Sequence, residues 1–459
     1  MQLEKEITKA INHISAKNTQ KCLTQKEQDN LVNKVLQDVR NNNWNFDNLD
    51  ILILQQSSKK RLVKQYKDRY STENILCQCI KQVLDKEFKV KYPNRNKISR
   101  ELFGILSAVA QMVDYTIVKF DFKDYFNSLS AEYIYYKHIE NKIPDRLIKR
   151  IIYDYCIKTE YTFAGLPTSN AMAEIVASEF DKVLQQTFGS LGIVFYSRYI
   201  DDSVLILNRQ VNEDIVKKML SDILLKVFRD KTIDVKKYCT TNYNPKKYSY
   251  ISKRALSGTP ISFDFLGYEF WLNISQKNLT DIKYGITEEK RIKYCKRLDK
   301  IIKLYTNNDS ADYYNIKLLR HRVLAFSSRQ VYLSTKYKSN IWKAKGFISN
   351  YAELRFLPEK LLHDDTKKYL KEMIVDSFSK AHVNLYFSDA LKQENSGYNL
   401  YHNLKVNKTL LLVDGIGYDY KSLSRLCEQI GISSIDANGK KRPYRSLVRD
   451  YLIKVKVGY

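Results

Sequence analysis

An α+β fold follows from three features of this 459-residue chain. Two apolar, β-branched and aromatic runs, Ile193-Val194-Phe195-Tyr196 and Val204-Leu205-Ile206-Leu207, flank Tyr199-Ile200-Asp201-Asp202, the pattern of an antiparallel hairpin with two acids at its tip. On either side of it apolar residues recur at helical spacing, as in Leu31, Val32, Val35, Leu36 and Val39. Only 14 Gly and 7 Pro occur, which points to a helix-rich protein with few flexible linkers.

Taken in order, residues 1–85 read as a helical region. Thr24-x-x-Glu27 has the form of a capping box ahead of the 31–39 helix, and Asn41-Asn42-Asn43 ends that helix. Phe88-Lys89-Val90-Lys91-Tyr92 alternates like a strand, and Pro93 to Lys97 read as a turn. Leu102 to Val113 carries no charge and predicts a buried helix leading into a strand that ends at Asp121. Residues 131–158 read as helical. Ser169 and Asn170 are expected to cap a helix that runs to Gly189-Ser190. Val211 to Phe228 is amphipathic and helical, and Phe263 to Trp271 is a short hairpin turning at Gly267. Glu289 to Tyr305 predicts a helix with Lys293, Lys296, Arg297, Lys300 and Lys303 on its outer side. Tyr420 to Val457 reads as two helices around the basic turn Gly439-Lys440-Lys441-Arg442-Pro443, a phosphate-binding candidate.

Composition narrows the function. Lys and Arg number 77 against 51 acids, a net charge of +26 suited to nucleic-acid phosphates. Of this, +16 lies in residues 276–459, with 35 basic and 19 acidic residues. The seven cysteines include Cys77 and Cys79 but no Cys-x-x-Cys pair, so neither a zinc site nor a disulfide framework is expected. The start reads as no signal peptide, and no apolar run approaches a membrane span. A bacterial cytoplasmic protein without membrane association is the expectation.

Adjacent carboxylates at a turn repel one another unless a cation sits with them. Hard oxygen ligands presented in a pair suit Mg²⁺, whose other positions are left to water and substrate phosphates. A solvated Asp-Asp turn would need no such chemistry. A third acid arises in similar context, in Val118-Lys119-Phe120-Asp121-Phe122-Lys123-Asp124-Tyr125-Phe126. Three acids from two strand ends can hold two metal ions for in-line phosphoryl transfer.

At these residues the sequence resembles the reverse transcriptases. Asp121 to Phe126 resembles the first catalytic block, Gly165-Leu166-Pro167-Thr168-Ser169 the template and nucleotide block, and Arg198 to Asp202 the second catalytic block. Phe265-Leu266-Gly267-Tyr268 resembles the primer-grip hairpin. The resemblance implies right-hand fingers and palm over residues 86–275, followed by an all-helical, basic thumb-like domain over 276–459. It assigns catalysis and metal binding to Asp121, Asp201 and Asp202, with Phe122 beside them as a metal and substrate contact. The cofactor would be two Mg²⁺ ions, with Mn²⁺ as a substitute. Phe126 would exclude a ribose 2′-hydroxyl. Gly165 would bind substrate, and the basic stretch with Lys91, Arg95 and Arg100 would close over a triphosphate. Ile233 to Lys237 resembles the block whose lysine, here Lys237, protonates or neutralises the leaving pyrophosphate. Phe265, Leu266 and Gly267 would grip the primer. One departure stands out. Many relatives carry Leu-Pro-Gln-Gly where Thr162-Phe163-Ala164-Gly165 occurs here, so Ala164 replaces the glutamine.

Absences refine the type. No ribonuclease H or nuclease pattern follows the palm. Asn170-Ala171 occurs without the His of the retron signature, and Val-Thr-Gly is missing. The chain most resembles bacterial defence-associated, abortive-infection reverse transcriptases. That implies an RNA-directed DNA polymerase of antiphage defence, protein-primed or non-templated modes included. Its partners would be an RNA template (a companion non-coding RNA), the DNA product, deoxynucleoside triphosphates, and a second copy or a defence partner. A retron or group II intron-like enzyme and an inactive nucleic-acid-binding scaffold are the alternatives.

Overall fold

The computed structural model describes residues 2–17, 23–56, 59–275, 279–308, 312–336, 339–383 and 398–456. The chain divides into two units. The first holds Met1–Ile98 and Gln111–Ala255, and the second Ser99–Ala110 and Leu256–Tyr459. These limits are set by packing. They differ from the 85/86 and 275/276 boundaries drawn from motifs and composition.

The first unit begins with helices α1 (Gln2–Lys17) and α2 (Gln25–Arg40). Thr24 and Glu27 form the expected capping box, each satisfying a backbone N–H that the helix start leaves open. Residues 1–85 are not all helical, however. Strands β1 (Asp50–Gln56) and β2 (Lys59–Gln65) pair antiparallel as a hairpin ahead of α3 (Thr72–Glu87). The β1 sequence Asp-Ile-Leu-Ile-Leu-Gln-Gln is apolar at successive positions, a run that periodicity alone cannot assign. The stretch Phe88 to Tyr92 forms no strand. Lys89 takes a left-handed φ of 49°, and an open segment leads to α4 (Arg95–Val109).

The heart of this unit is a four-stranded antiparallel sheet of β3 (Thr116–Asp121), β4 (Ile193–Tyr199), β5 (Asp202–Leu207) and β6 (Ser249–Ser252), in the order β4-β5-β3-β6. β3 is buried throughout, as a central strand covered on both faces must be. Helices α5 (Arg146–Thr159), α6 (Pro167–Phe188) and α7 (Glu213–Phe228) share one apolar core with the sheet and with α1, α2 and α3. α6 starts at Pro167, two residues before the expected cap, because the fixed φ of proline suits the first helical position.

The second unit contains a three-stranded antiparallel sheet, β7 (Ile261–Phe265), β8 (Tyr268–Ile274) and β9 (Thr280–Ile286). Leu266 and Gly267 both have positive φ, 53° and 81°, the signature of a two-residue type I′ hairpin. Phe103 of α4 docks on this sheet, with ring centroids 5.0 Å from Tyr268, 5.5 Å from Phe270 and 5.0 Å from Tyr284. Helices α8 (Glu288–Thr306), α9 (Tyr313–Ser327), α10 (Asp364–Lys380), α11 (Tyr420–Glu428) and α12 (Tyr444–Val455) follow. The α+β class holds, but the C-terminal part is not all helical. Strands β10 (Arg329–Lys336), β11 (Ser339–Lys345) and β12 (Thr409–Leu412) form a second three-stranded sheet, with β10 and β12 parallel. Short strands separated by some seventy residues leave no local pairing signal in the sequence. Among the described residues no helix is long and apolar enough to cross a membrane.

Phe103 is 8 % exposed and is the aromatic plug between α4 and the β7-β8-β9 sheet. Phe103→Ala is expected to destabilise the second unit by about 3–5 kcal/mol, read from its denaturant midpoint. A loss under about 1 kcal/mol would mean that the sheet closes over the gap.

Candidate active site

The register of the central sheet brings the acids together. β3 and β5 run antiparallel with Asp121 opposite Asp202, while Tyr199 faces Asp202 across the β4–β5 turn. The Phe122 N–H donates to the carbonyl of Asp201 at 3.0 Å. Ladder pairs alternate, so the neighbouring Asp121–Asp202 pair is the narrow kind, with Cα atoms about 4.5 Å apart and side chains on one face. Asp201 sits in the turn itself. Asp121 and Asp202 thus face one another at the ends of the two central strands, with Asp201 in the adjoining turn.

The turn is strained. Ile200 has φ 62°, a conformation that a β-branched residue rarely adopts. Its carbonyl accepts a hydrogen bond from Arg198 at 2.9 Å. Arg198 is 8 % exposed and ion-paired on both sides, 2.8 Å from Glu174 and 2.9 Å from Asp181. Burial works against the guanidinium charge, but the bonds to Glu174 and Asp181 outweigh it and raise the pKa above the ordinary arginine value. The Tyr196 hydroxyl donates to Asp181 at 2.6 Å.

Two lysines face the acids. Lys119, two residues before Asp121 and 4 % exposed, lies 3.6 Å from Asp202. Lys247 donates to Asp121 Oδ2 from a loop anchored by the Asn244 N–H on the Asp121 carbonyl, 2.8 Å. Burial lowers the Lys247 pKa, while the bond to Asp121 and the charges of Asp121, Asp201 and Asp202 raise it to a net value above 10.5. The expected lysine, Lys237, is elsewhere: it pairs with Glu160 at 2.7 Å, and that bond, against a smaller effect of burial, raises its pKa. Asn244-Pro245-Lys246-Lys247 is a turn signal followed by two cations, but nothing local in the sequence ties it to Asp121.

The other expected residues are placed as follows. The Phe122 ring is 2 % exposed and stacks on Tyr125 at 4.9 Å, so only its backbone can meet a ligand. Phe126 lines a cavity of about 160 Å³ with Tyr92, Pro93, Asn170, Ala173, Glu174, Tyr199 and Ile200, directly against the acidic turn. Asp124 is the N-cap residue of a short helix, left-handed at φ 48°, and accepts from Asn127 at 2.7 Å. Gly165 has φ 109°, and a Cβ there would lie 2.4 Å from the Lys64 carbonyl oxygen. Its glycine identity therefore follows from the close approach of β2. The Lys64 N–H donates to the Ala164 carbonyl at 2.9 Å, and its ammonium lies 3.4 Å from the centre of the Phe163 ring. Burial lowers the Lys64 pKa, partly offset by Glu160. The basic hairpin of this unit is thus β1–β2, not residues 88–97. Lys91 lies on an open segment lining a cavity of about 630 Å³, Arg95 begins α4, and Arg100, in the second unit, is 3.7 Å from Glu353. Phe265, Leu266 and Gly267 form the β7–β8 turn of the second unit, with Phe265 1 % exposed.

Among the described residues no group of three or more His, Cys, Asp or Glu side chains is drawn together as a metal cage. The residues nevertheless fit a hard divalent cation. Asp121 Oδ1 is buried without a hydrogen-bond partner, and its other oxygen holds an ammonium. The set offers only carboxylate and backbone oxygen, which suits Mg²⁺ over softer metals.

The central sheet thus carries its acids at the end of β3 and at the β4–β5 turn. No family model matches the chain. It is 29 % identical over 153 residues to the retron Ec86 reverse transcriptase of Escherichia coli, a stretch covering 33 % of this chain and 44 % of that protein. The chain thus spans less than half the length of this relative, which it resembles as a reverse transcriptase. Among solved structures, telomerase from Candida albicans in complex with a fragment of telomeric RNA aligns over 83 % of this chain and 60 % of its own, with 13 % identity and a TM-score of 0.39. Truncated apo telomerase from Candida tropicalis aligns over 52 % and 55 %, with 16 % identity and a TM-score of 0.34.

Lys247 is the side-chain cation nearest Asp121, so removing it tests the site. Because its folded pKa is raised, its stabilisation is fully present below the unfolded lysine value near 10.4 and fades as pH rises through the folded one. At 45 % exposure the pair is worth no more than about 1 kcal/mol. Lys247→Met is expected to unfold slightly earlier than wild type at neutral pH, a difference that vanishes above the lysine range. Added Mg²⁺ should raise the variant's melting temperature more than the wild type's. Equal shifts would mean that the ammonium and the metal do not share Asp121.

Proposed function

We infer that the chain is an RNA-directed DNA polymerase acting in antiphage defence. One observation carries the reading: Asp121 and Asp202 are register partners on a palm sheet, with Asp201 in the intervening turn. Two divalent metals bound there would lower the pKa of the attacking hydroxyl and neutralise charge on the leaving pyrophosphate. Asp121, Asp201 and Asp202 would hold them, with the Phe122 backbone adjacent. Lys247, which contacts Asp121, is the lysine we propose to neutralise or protonate the departing pyrophosphate in place of Lys237. Phe126 narrows the cavity beside the turn, where a ring under the sugar would disfavour a ribose 2′-hydroxyl. The β1–β2 hairpin, with Lys64 held against Phe163, is the basic element for the incoming triphosphate, in place of Lys91, Arg95 and Arg100.

The net charge of +26 and the likeness to a retron reverse transcriptase support nucleic acid as partner: an RNA template, a companion non-coding RNA, and the DNA product. The β7–β8 turn with Phe265, Leu266 and Gly267 is the proposed primer grip. The proposed domain roles are an N-terminal region of helices and the β1–β2 hairpin over 1–85, fingers and palm over 86–275, and a basic thumb-like part over 276–459.

Asp201→Ala is expected to keep the wild-type melting temperature and lose metal-dependent deoxynucleotide incorporation by at least about 10³-fold, in line with loss of a metal-held transition-state charge. A folded, active variant would remove the assignment. Phe126→Ala should incorporate ribonucleotides, measured as the ratio of kcat/KM for the two sugars. An unchanged ratio would assign discrimination to another wall of the cavity.

A further inference from the structure

We propose that Arg198 is a positioning residue that sets the metal affinity of the acidic turn, acting through the Ile200 carbonyl and locked in place by Glu174 and Asp181. The inference rests on the polymerase reading of Asp121, Asp201 and Asp202.

The geometry gives the reason. Ile200 sits at φ 62°, where a β-branched side chain is held only if its surroundings fix it. Arg198 supplies that fixing with a guanidinium whose donors diverge to three acceptors. Nη1 reaches the Ile200 carbonyl at 2.9 Å and Glu174 at 3.2 Å, Nη2 reaches Glu174 at 2.8 Å and Asp181 at 2.9 Å, and Nε reaches Asp181 at 2.9 Å. Glu174 and Asp181 lie seven residues apart on α6, two turns along one helix face, so a rigid helix carries both anchors. The turn is thereby tied to α6 by a fork that cannot slide without breaking buried charged bonds. Asp201 and Asp202 follow Ile200 immediately, and their approach to Asp121 depends on the peptide orientation at that carbonyl.

A purely structural ion pair would stabilise the fold without touching metal binding, and this separates the two roles. Mn²⁺ binding to the metal-free full-length chain, followed by electron paramagnetic resonance, is measured beside thermal unfolding and incorporation as a function of Mg²⁺. For a folded Arg198→Met we expect Mn²⁺ affinity about 10-fold weaker, the scale of losing a group that orients metal ligands, and a matching rise in the half-saturating Mg²⁺. The KM for deoxynucleotide at saturating Mg²⁺ should hardly move. Arg198→Lys, which keeps the charge but cannot span three acceptors, should lie between. Should Arg198→Met not fold, Glu174→Gln keeps the shape, loosens the fork and takes its place. A folded variant of either kind that binds Mn²⁺ like wild type overturns the proposal. Wild-type protein that binds no Mn²⁺ overturns the active-site reading beneath it, so the two failures are told apart.

Discussion

The antiparallel register that sets Asp121 opposite Asp202 is the constraint on which the rest of the first unit depends. A slip of one residue would turn every side chain of β3 to the opposite face and separate the acids. Six consecutive buried residues in β3 prevent that slip, because the strand's apolar partners on both faces would be lost together. Core packing and site geometry are therefore one requirement. The repulsion among three neighbouring carboxylates is tolerated because the hydrophobic layers that hold the strands leave them no other position.

Around the acids the cations have separate tasks. Lys119, buried on the central strand β3, offsets the charge of Asp202. Lys247 reaches Asp121 from a loop whose backbone is pinned to the Asp121 carbonyl, so its place is set by β3 itself. Arg198 works on the backbone of the turn, through the Ile200 carbonyl. A compact ammonium on a flexible stem suits the first two places, whereas a planar fork of five donors suits the third.

The β1–β2 hairpin shows how a loop glycine can be required by something other than substrate. Gly165 accepts β2 at a distance that no Cβ would allow, and the neighbouring Ala164 carbonyl receives the Lys64 N–H. A hairpin of two strands alone is marginal in water, and this contact with the 163–165 segment helps hold it. Ala164, where the reverse-transcriptase resemblance implies glutamine, makes this contact through its backbone carbonyl.

The sequence by itself determined the acids and their hairpin, the capping box at Thr24, the amphipathic helices, and the β7–β8 turn at Gly267. Each rests on local chemistry: strand-flanked turns, side-chain caps and periodicity are written within a dozen residues. Phe126, some seventy residues before the turn, was an expectation of the family resemblance, and only the fold sets it beside Tyr199 and Ile200. Tertiary structure alone decided which lysine meets Asp121, since Lys237 and Lys247 are alike in sequence and only the loop pinned to β3 separates them. It also decided the basic hairpin, because an apolar run such as Ile51 to Leu54 carries no period to tell strand from helix. The parallel pairing of β10 with β12 and the fork from Arg198 to Glu174 and Asp181 joined residues far apart in the chain. Local propensity cannot encode such meetings. They exist only once burial has brought the elements together.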